Sequence, residues 1–373
     1  MRIGIITLPL HTNYGGILQA YALQTVLKQM GNDVFLIEEK PKPTRLPLWK
    51  APLSYSKRIL KNLSGNPVPI FYEQKIEREK SLIRQNTDRF INKHIKRKIV
   101  DDFSILKETE FDALIVGSDQ IWRPMYFHPI KHAFLDFAEE WGIKRMAYAV
   151  SFGTDNWEYS IRQEKTCRNL AKKFDFVSVR EMSGIRLCND HLGLKAELVL
   201  DPTLLLSEED YIRLFQSDNN IQERKGNLLC YILDETPEKM LFIHREAEQR
   251  GLQPFFVNSS TDIRSPLDQR IQPPVEQWLR GFYDAKFVIT DSFHACIFAI
   301  IFKKPFIAFG NIHRGMSRFI SLLDMFGLKE RLIDGKYNQP GKIDWTEVAS
   351  ILNDKRRDSY SFLTQLNNRQ KQG

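Results

Sequence analysis

Short apolar runs alternate with segments of helical periodicity along most of this chain, and this alternation constrains its fold more than any other feature. Some runs carry β-branched residues at successive positions, as at Val288 and Ile289, which is typical of strands covered on both faces. Strands that alternate with helices of about ten or more residues form mostly parallel sheets with right-handed crossovers. The pattern therefore predicts an α/β fold.

The pattern also predicts the individual elements. The predicted strands are Arg2–Leu8, Val34–Ile37, Phe111–Gly117, Met146–Ser151, Phe176–Val179, Glu197–Leu200, Leu228–Leu233, Pro254–Val257, Lys286–Thr290 and Pro305–Ala308. The predicted helices are Gly16–Met30, Glu73–Ile91, Thr236–Arg250, Pro274–Tyr283, Ala295–Phe302 and a C-terminal helix from Trp345 to about Asn368. A Pro-rich stretch before Glu73 is predicted to be irregular.

A chain of 373 residues exceeds the size at which one hydrophobic core keeps growing, so we expect two domains. The alternation is interrupted at Asp201-Pro202-Thr203, which places the boundary there. We predict two Rossmann-like domains, residues 1–203 and 204–344, facing across a cleft, and a helix in residues 345–373 that packs back on the first. Ligands of open parallel sheets bind at the carboxyl ends of the strands, so the cleft is the expected site.

The composition excludes several classes of protein. Hydrophobic residues form 42% and charged residues 27% of the chain, as in globular proteins, and no stretch approaches the roughly 20 apolar residues of a spanning helix. The first residues are interpreted as a strand and not as a signal peptide. The four cysteines are far apart and lack metal-ligand spacing, so we expect no metal site and passive, buried thiols. A cytoplasmic protein is expected.

Positive charge is concentrated in residues 40–98, a basic insertion in the first domain. This segment holds 16 Lys or Arg against 4 Asp or Glu, an excess of +12, whereas the whole chain carries +8. The excess predicts an anionic partner, either the acidic lipids of the inner face of the cell membrane or a diphosphate-bearing substrate. A solvated face is the alternative. The segment carries no recognisable nucleic-acid-binding module, so no nucleic acid is expected.

A Gly-rich loop follows the first strand and opens the first helix. Its two glycines, Gly15 and Gly16, allow backbone amides to approach a ligand, and polar side chains flank them at Asn13 and Gln19. The loop does not match the dinucleotide-binding pattern G-x-G-x-x-G. We therefore assign this loop, together with Tyr14, to binding of a sugar or another acceptor.

Two further motifs follow predicted strands of the first domain. Ser118, Asp119, Gln120 and Trp122 combine a carboxylate, an amide and an aromatic ring, as carbohydrate sites do; an ordinary turn with a buried Trp is the alternative. Arg180 and Glu181, considered as one pair, end another strand, where either an anion site or a buried ion pair would explain them.

The second domain carries two motifs. Asp291 and Ser292 are good N-cap residues at the start of a helix, and the positive helix end beside His294 favours an anion. Capping alone, with His294 filling a polar gap, is the alternative. Arg314, Gly315 and Arg318 follow a later strand and open a helix, where guanidinium groups suit phosphate.

At these motifs the chain resembles the polysaccharide pyruvyl transferase family. The matching segments are NYGGILQAYAL, DALIVGSDQIW, YAVSFG, SVRE, LDPTLLL, TDSFHACIFAIIFKKPF and RGMSRFISLLDMFGL, in family order. The resemblance implies transfer of the enolpyruvyl group of phosphoenolpyruvate to a sugar or lipid-linked oligosaccharide, which forms a pyruvate ketal and releases phosphate without a cofactor. It also implies the two-domain architecture of GT-B-type glycosyltransferases.

The chemistry of this reaction suggests roles for the motif residues. His294 or Asp291 would protonate the donor, and Asp119 or Glu181 would accept the proton of the attacking hydroxyl. Better-characterised members carry Arg-Leu-His where this chain has Ser292-Phe293-His294. Three arginines elsewhere in the donor site would replace the missing guanidinium: Arg180, Arg314 and Arg318. Gly315, which follows Arg314 in the sequence, is also assigned to donor binding. A nucleotide-sugar glycosyltransferase and a non-catalytic glycan-binding or assembly subunit are the alternative functions.

Overall fold

The structure is a computed structural model that describes residues 1–41, 46–47, 49–65, 68–216, 218, 221, 226–310, 315–335, 337 and 339–367. Its first sheet has seven parallel strands in the order β3-β2-β1-β4-β5-β6-β7. These strands are β1 (Arg2–Ile6), β2 (Asp33–Glu39), β3 (Arg97–Val100), β4 (Ala113–Val116), β5 (Lys144–Val150), β6 (Phe176–Val179) and β7 (Glu197–Leu198). Its helices are α1 (Tyr14–Gln29), α2 (Ala51–Leu63), α3 (Tyr72–His94), α4 (Ile161–Ala171) and α5 (Met182–Leu187).

The second sheet has five parallel strands in the order β12-β11-β10-β8-β9. They are β8 (Leu228–Tyr231), β9 (Pro254–Phe256), β10 (Phe287–Thr290), β11 (Phe306–Phe309) and β12 (Leu332–Ile333). The helices are α6 (Glu208–Gln216), α7 (Pro237–Arg250), α8 (Leu267–Arg270), α9 (Val275–Asp284), α10 (Phe293–Ile301), α11 (Met316–Met325) and α12 (Trp345–Thr364). The predicted α/β class with two Rossmann-like sheets is confirmed.

The two sheets differ in strand order. Counted from the first strand of each, the first sheet has the order 3-2-1-4-5-6-7 and the second 2-1-3-4-5, and both are doubly wound orders. Each order reverses at one point, between β1 and β4 in the first sheet and between β8 and β10 in the second. Ligands of such sheets bind in the crevice outside the reversal point.

Some predicted elements differ from the structure. The edge strands β3 and β12 are additional, and the helix α2 occupies part of the stretch predicted to be irregular. Pro52 does not interrupt α2, because it lies in the first turn, where its missing N–H costs no hydrogen bond. None of the helices in the described parts of the chain is both long and apolar enough to cross a bilayer.

The core continues from one domain into the other. Tyr14, at the start of α1, stacks on Trp278 of α9 with ring centroids 5.2 Å apart, and its hydroxyl donates to the Pro273 carbonyl at 2.8 Å. Both rings are fully buried. This contact brings the carboxyl ends of the two sheets together. All four cysteines are buried free thiols.

The connection between the sheets runs from Leu198 to Leu228, and the predicted boundary at 203/204 lies within it. The C-terminal helix α12 contacts residues that follow β7: the Arg356 guanidinium donates to the carbonyls of Leu204 and Leu206 at 2.6 Å. Ser359 accepts a hydrogen bond from the Leu200 amide at 3.0 Å. The Phe362 ring of α12 also lies beside Tyr148 of β5 and Phe176 of β6, so α12 contacts the first sheet.

Candidate active site

Six charged or titratable residues form a cluster, here called the cleft cluster, where the two domains meet. Its members follow strands or begin helices: Asp119 after β4, Arg180 and Glu181 after β6, Asp201 after β7, His294 in α10 and Arg318 in α11. Each of these side chains is buried, with at most 8% of its surface exposed. The cluster brings together four of the five sequence motifs.

Arg180 lies at the centre of the cleft cluster. Its guanidinium donates to Asp201 Oδ2 at 2.6 Å and to Asp119 Oδ1 at 2.8 Å, and it lies 4.8 Å from the centroid of the Phe293 ring. Burial disfavours its charge, but the neighbouring carboxylates outweigh burial and raise the pKa of Arg180. The hydrogen bonds of Arg180 therefore go to two carboxylates outside its own motif, Asp119 and Asp201.

Asp201 links Arg180 to His294. Its Oδ1 accepts hydrogen bonds from the Thr203 amide at 3.0 Å and the Thr203 hydroxyl at 2.6 Å, and its Oδ2 lies 3.7 Å from His294 Nε2. Burial opposes ionisation, yet His294 and Arg180 hold the pKa of Asp201 well below its usual value. Sequence reasoning missed this residue as a site residue, although an Asp directly after a predicted strand is the signal that could have revealed it.

His294 lies in the first turn of α10, against the first turn of α1. A methyl group on Gly15 would come within 2.0 Å of His294 Nδ1, so only glycine at that position leaves room for the ring. Gly15 thus positions His294 between α1 and Asp201. An imidazole in this position is a candidate for proton transfer on geometric grounds.

Glu181 is the second candidate for proton transfer. Its side chain is fully buried, and Oε1 accepts a hydrogen bond from the Phe152 amide at 3.1 Å. Among the described residues Oε2 has no hydrogen-bond donor, and it lies 3.8 Å from Arg180 Nε. Burial raises the pKa of Glu181, which favours the proton-carrying form.

Asp119 and Arg318 complete the cleft cluster. Asp119 adopts a left-handed backbone conformation with φ of 64°, and its Oδ1 lies 3.9 Å from an Arg318 nitrogen. Burial opposes the charge of Asp119, but Arg180, His294 and Arg318 lower its pKa. Burial and repulsion from Arg180 lower the pKa of Arg318 to about 10, so the positive charge of Arg318 is disfavoured at this position. An anion bound beside Arg318 would stabilise that charge.

Two of the predicted acceptor residues have structural roles. Gln19 Nε2 donates to Thr7 Oγ1 at 3.0 Å, and Gln19 Oε1 accepts from the Ser118 amide at 3.0 Å and from its hydroxyl at 2.7 Å. These bonds connect the loops that follow β1 and β4. Both side chains are buried and bonded to each other, which favours a structural role, and their assignment to the acceptor stays a prediction.

The two predicted acceptor aromatics are also buried. Trp122 has no exposed surface, donates its indole N–H to the Ala133 carbonyl at 2.9 Å and stacks on Phe134 at 4.7 Å. Tyr14 forms the interdomain stack described above. Neither ring has an exposed face, which favours the buried-Trp alternative for Trp122, and the assignment of the two rings to the acceptor stays a prediction.

The remaining acceptor residues lie around the loops after β1 and β4. Asn13 is exposed, and its side chain caps α1 by accepting from the Gly16 amide at 3.3 Å. Gln120 is buried and accepts a hydrogen bond from Arg123 at 3.1 Å. Of this group, Asn13 presents the most surface to solvent.

Asp291 is not part of the cleft cluster. Its carboxylate accepts from the amides of Leu233 at 2.6 Å and Asp234 at 3.0 Å, and from Lys239 Nζ at 2.7 Å. These bonds hold the loop between β8 and α7 at the reversal point of the second sheet. Because its oxygens accept from two backbone amides and a lysine, this geometry favours a structural role for Asp291, and its role as the donor acid stays a prediction.

The other predicted donor residues surround the start of α10 and α11. Ser292 is the N-cap of α10 and accepts from the Ala295 amide at 3.4 Å, while the Phe293 ring lies under both Arg180 and Arg318. Gly315 adopts φ of 103° and approaches the Gly153 carbonyl so closely that a Cβ would lie 2.0 Å from that oxygen. Arg314 lies outside the described residues.

Comparison with known proteins identifies the family. A search of curated proteins finds no significant match. Similar solved structures include the UDP-GlcNAc 2-epimerase from Neisseria meningitidis, with 8% identity over 99% of this chain and 95% of that one and a TM-score of 0.47. The heptosyltransferase II of E. coli shares 13% identity over 96% and 100% of the two chains, with a TM-score of 0.37.

The family model for polysaccharide pyruvyl transferase matches residues 13–313. This range contains five members of the cleft cluster, all except Arg318, and it covers most of both domains. The chain therefore belongs to the polysaccharide pyruvyl transferase family.

Proposed function

We propose that this protein transfers the pyruvyl group of phosphoenolpyruvate to a sugar of a cell-surface polysaccharide, or of its lipid-linked precursor, and forms a pyruvate ketal. The observation that carries the proposal is the cleft cluster, in which two guanidinium groups and two candidate proton carriers are buried between the facing sheets. Family membership supports a transferase that acts on polysaccharide.

The chemistry defines what the site has to supply. A proton is added to the methylene carbon of the donor, and a sugar hydroxyl attacks the adjacent carbon and loses its proton. Cleavage of the carbon–oxygen bond then releases phosphate, and a second hydroxyl closes the ketal and loses its proton in turn. One hydroxyl proton thus balances the proton added to carbon, and the other leaves with phosphate.

His294 and Glu181 are the groups proposed to move these protons. His294, whose Nε2 lies 3.7 Å from Asp201 Oδ2, is the candidate acid for the methylene carbon. Glu181 is the candidate base for the hydroxyl, and burial keeps its pKa closer to neutrality than that of an ordinary carboxyl group. Asp119 and Asp201 are assigned to positioning, because both are bonded to Arg180.

A multiply charged donor anion requires positive charge in the site, and both Arg180 and Arg318 belong to the cleft cluster. Arg180 is bonded to two carboxylates, so the expectation that Arg180, Arg314 and Arg318 act jointly is replaced by a narrower proposal. Arg318 and the N-terminus of α10 hold the phosphate and carboxylate of the donor, and Arg180 fixes the acidic residues around them. The Phe293 ring beneath both guanidinium groups keeps them in place.

Incubation with phosphoenolpyruvate and a panel of free and polyprenyl-diphosphate-linked sugars tests the proposal. The expected result is phosphate release together with an acceptor whose mass increases by one pyruvyl ketal. His294→Gln is expected to lower turnover by about 10²-fold or more without changing the melting temperature. Arg318→Gln is expected to weaken donor binding by tenfold or more, whereas the exposed control Arg213→Gln leaves both quantities unchanged.

The same assay separates the alternatives. Binding of a nucleoside diphosphate without binding of phosphoenolpyruvate would establish a nucleotide-sugar glycosyltransferase. Binding of glycan with no turnover of either donor would establish a non-catalytic subunit.

A further inference from the structure

Helix α2 differs from its neighbours in having no buried residue. Four large apolar side chains lie along its solvent side, at Trp49 just before the helix and at Leu53, Leu60 and Leu63 within it, and each exposes between 62% and 80% of its surface. Positions 49, 53, 60 and 63 fall on one stripe at helical spacing. We call these four residues the α2 apolar face.

A row of lysines borders the α2 apolar face. Lys50, Lys57 and Lys61 are spaced by seven and four residues, so they lie one position around the helix from the apolar stripe. All three are exposed, and none forms an ion pair with another described residue. The helix itself contains no Asp or Glu.

The opposite side of α2 attaches the helix to α3. The Arg58 guanidinium donates to both Glu73 oxygens at 2.8 Å and 2.6 Å and to the Ile70 carbonyl at 2.8 Å. The Tyr55 ring lies edge-on to Phe71 at 5.3 Å. Because α2 is anchored through its polar side, the apolar face is the side that remains free to meet another surface.

We propose that the α2 apolar face and its lysine row dock the protein on an anionic lipid bilayer. Apolar side chains on one face and lysines beside them are the arrangement of helices that lie in the plane of a membrane interface. Leu side chains and a Trp suit the boundary between headgroups and acyl chains, and lysines suit anionic headgroups. A protein partner would have to match both a strongly apolar stripe and a purely basic border.

Docking through α2 would bring the cleft near the bilayer. Arg84, eleven residues after Glu73 along α3, donates to the Leu10 carbonyl at 2.9 Å in the loop that leads into α1. Eleven helical residues span about 17 Å. The benefit of such proximity for a lipid-linked acceptor rests on the proposed function, but docking itself is measured without any substrate.

Vesicle co-sedimentation of the full-length chain tests the proposal. The wild type is expected to bind phosphatidylglycerol vesicles at low salt, to bind phosphatidylcholine vesicles far less, and to dissociate at high salt. The triple change Lys50→Gln, Lys57→Gln and Lys61→Gln is expected to lower the partition coefficient about 100-fold, because each lysine near an anionic surface contributes about 1 kcal/mol.

Two matched controls distinguish docking through this face from nonspecific electrostatic or hydrophobic adsorption to vesicles. Glutamine at the exposed Lys165, Lys172 and Lys195 changes the net charge equally and is expected to leave binding within a few-fold of wild type. The triple change Leu53→Ser, Leu60→Ser and Leu63→Ser is expected to abolish binding. Its control is serine at Ile161 and Leu241, which are exposed elsewhere on the surface. Melting temperatures verify that each variant folds.

Tryptophan fluorescence adds a local readout. The emission of the wild type is expected to shift to shorter wavelength on vesicle binding, and Trp49→Phe is expected to remove that shift. The proposal is overturned if the wild type does not bind anionic vesicles at low salt, or if both lysine variants lose binding equally. It is also overturned if the Leu variants only abolish self-association of the chain in solution, which would assign the face to a second copy.

Discussion

Replacement of Arg180 by Met tests whether this guanidinium is primarily structural. Methionine keeps much of the side-chain length but leaves Asp119 and Asp201 buried without their shared cation. Removal of one partner from a buried ion pair costs about 3–5 kcal/mol. At about 2–4 °C per kcal/mol for domains of this size, the melting temperature should fall by roughly 6–20 °C.

The pH dependence of this loss has a definite sign. In the wild type the pKa values of Asp119 and Asp201 are lowered, so their contribution to stability is present above the unfolded pKa and disappears as the pH falls through the folded pKa. Without Arg180, burial would raise both pKa values above the unfolded values. The stability gap between variant and wild type should then narrow as the pH falls toward the unfolded pKa values of the two carboxyl groups.

Thermal unfolding followed by circular dichroism measures both effects. Arg357→Met is the control, because Arg357 and its partner Asp354 are 77% and 62% exposed, and loss of such a pair costs at most about 1 kcal/mol. The double change Arg180→Met and Asp201→Asn should recover part of the loss. The reasoning is refuted if Arg180→Met melts like the wild type while phosphoenolpyruvate binding is lost, since Arg180 would then be a donor ligand.

Three further predictions follow from the cleft cluster and its surroundings. Glu181→Gln should lower turnover about 10²-fold and should leave the melting temperature unchanged, because the glutamine amide oxygen can still accept the Phe152 amide hydrogen bond; a fall in melting temperature with normal turnover would contradict this role. Gly15→Ala should reduce turnover, because the new Cβ would lie 2.0 Å from His294 Nδ1. Gly16→Ala is the control and should not reduce turnover, because its Cβ has no neighbour closer than 3.4 Å. Equal effects of the two changes would show that the His294 ring moves to accept the added methyl group. Asp291→Asn should lower the unfolding free energy by about 1–3 kcal/mol, as measured by denaturant titration, because Asp291 bonds two backbone amides. Kinetics should show unchanged turnover per folded molecule. Loss of turnover without loss of stability would indicate that Asp291 takes part in the reaction.

Local sequence pattern was sufficient to predict most of the strands but not their order. Buried strands such as β4 and β10 are continuous apolar runs, which are visible in the sequence. The edge strands escaped prediction because β3 carries charged residues and β12 has only two residues. The strand order of the second sheet is invisible to periodicity, since both doubly wound orders produce the same alternation.

The position of the site was predictable, but the partners within it were not. Residues that follow parallel strands meet at one edge, which is why Asp119, Arg180 and His294 converge. The direction of each side chain depends on which neighbouring loop supplies a donor. Asp291 lies three residues before His294, yet it is bonded to the loop after β8, while Asp201 takes the place beside His294.

The stacked rings of Tyr14 and Trp278 determine how the two halves of the molecule are able to move. Each aromatic side chain buries roughly 150–250 Å², so at about 25 cal/mol per Å² separation of the pair would cost several kcal/mol or more. Motions that pull the domains apart at this contact would therefore be rarely populated, whereas rotations about it keep the rings in contact. If the domains rotate about this aromatic pair, the angle of rotation would set how wide the entrance to the buried charges becomes.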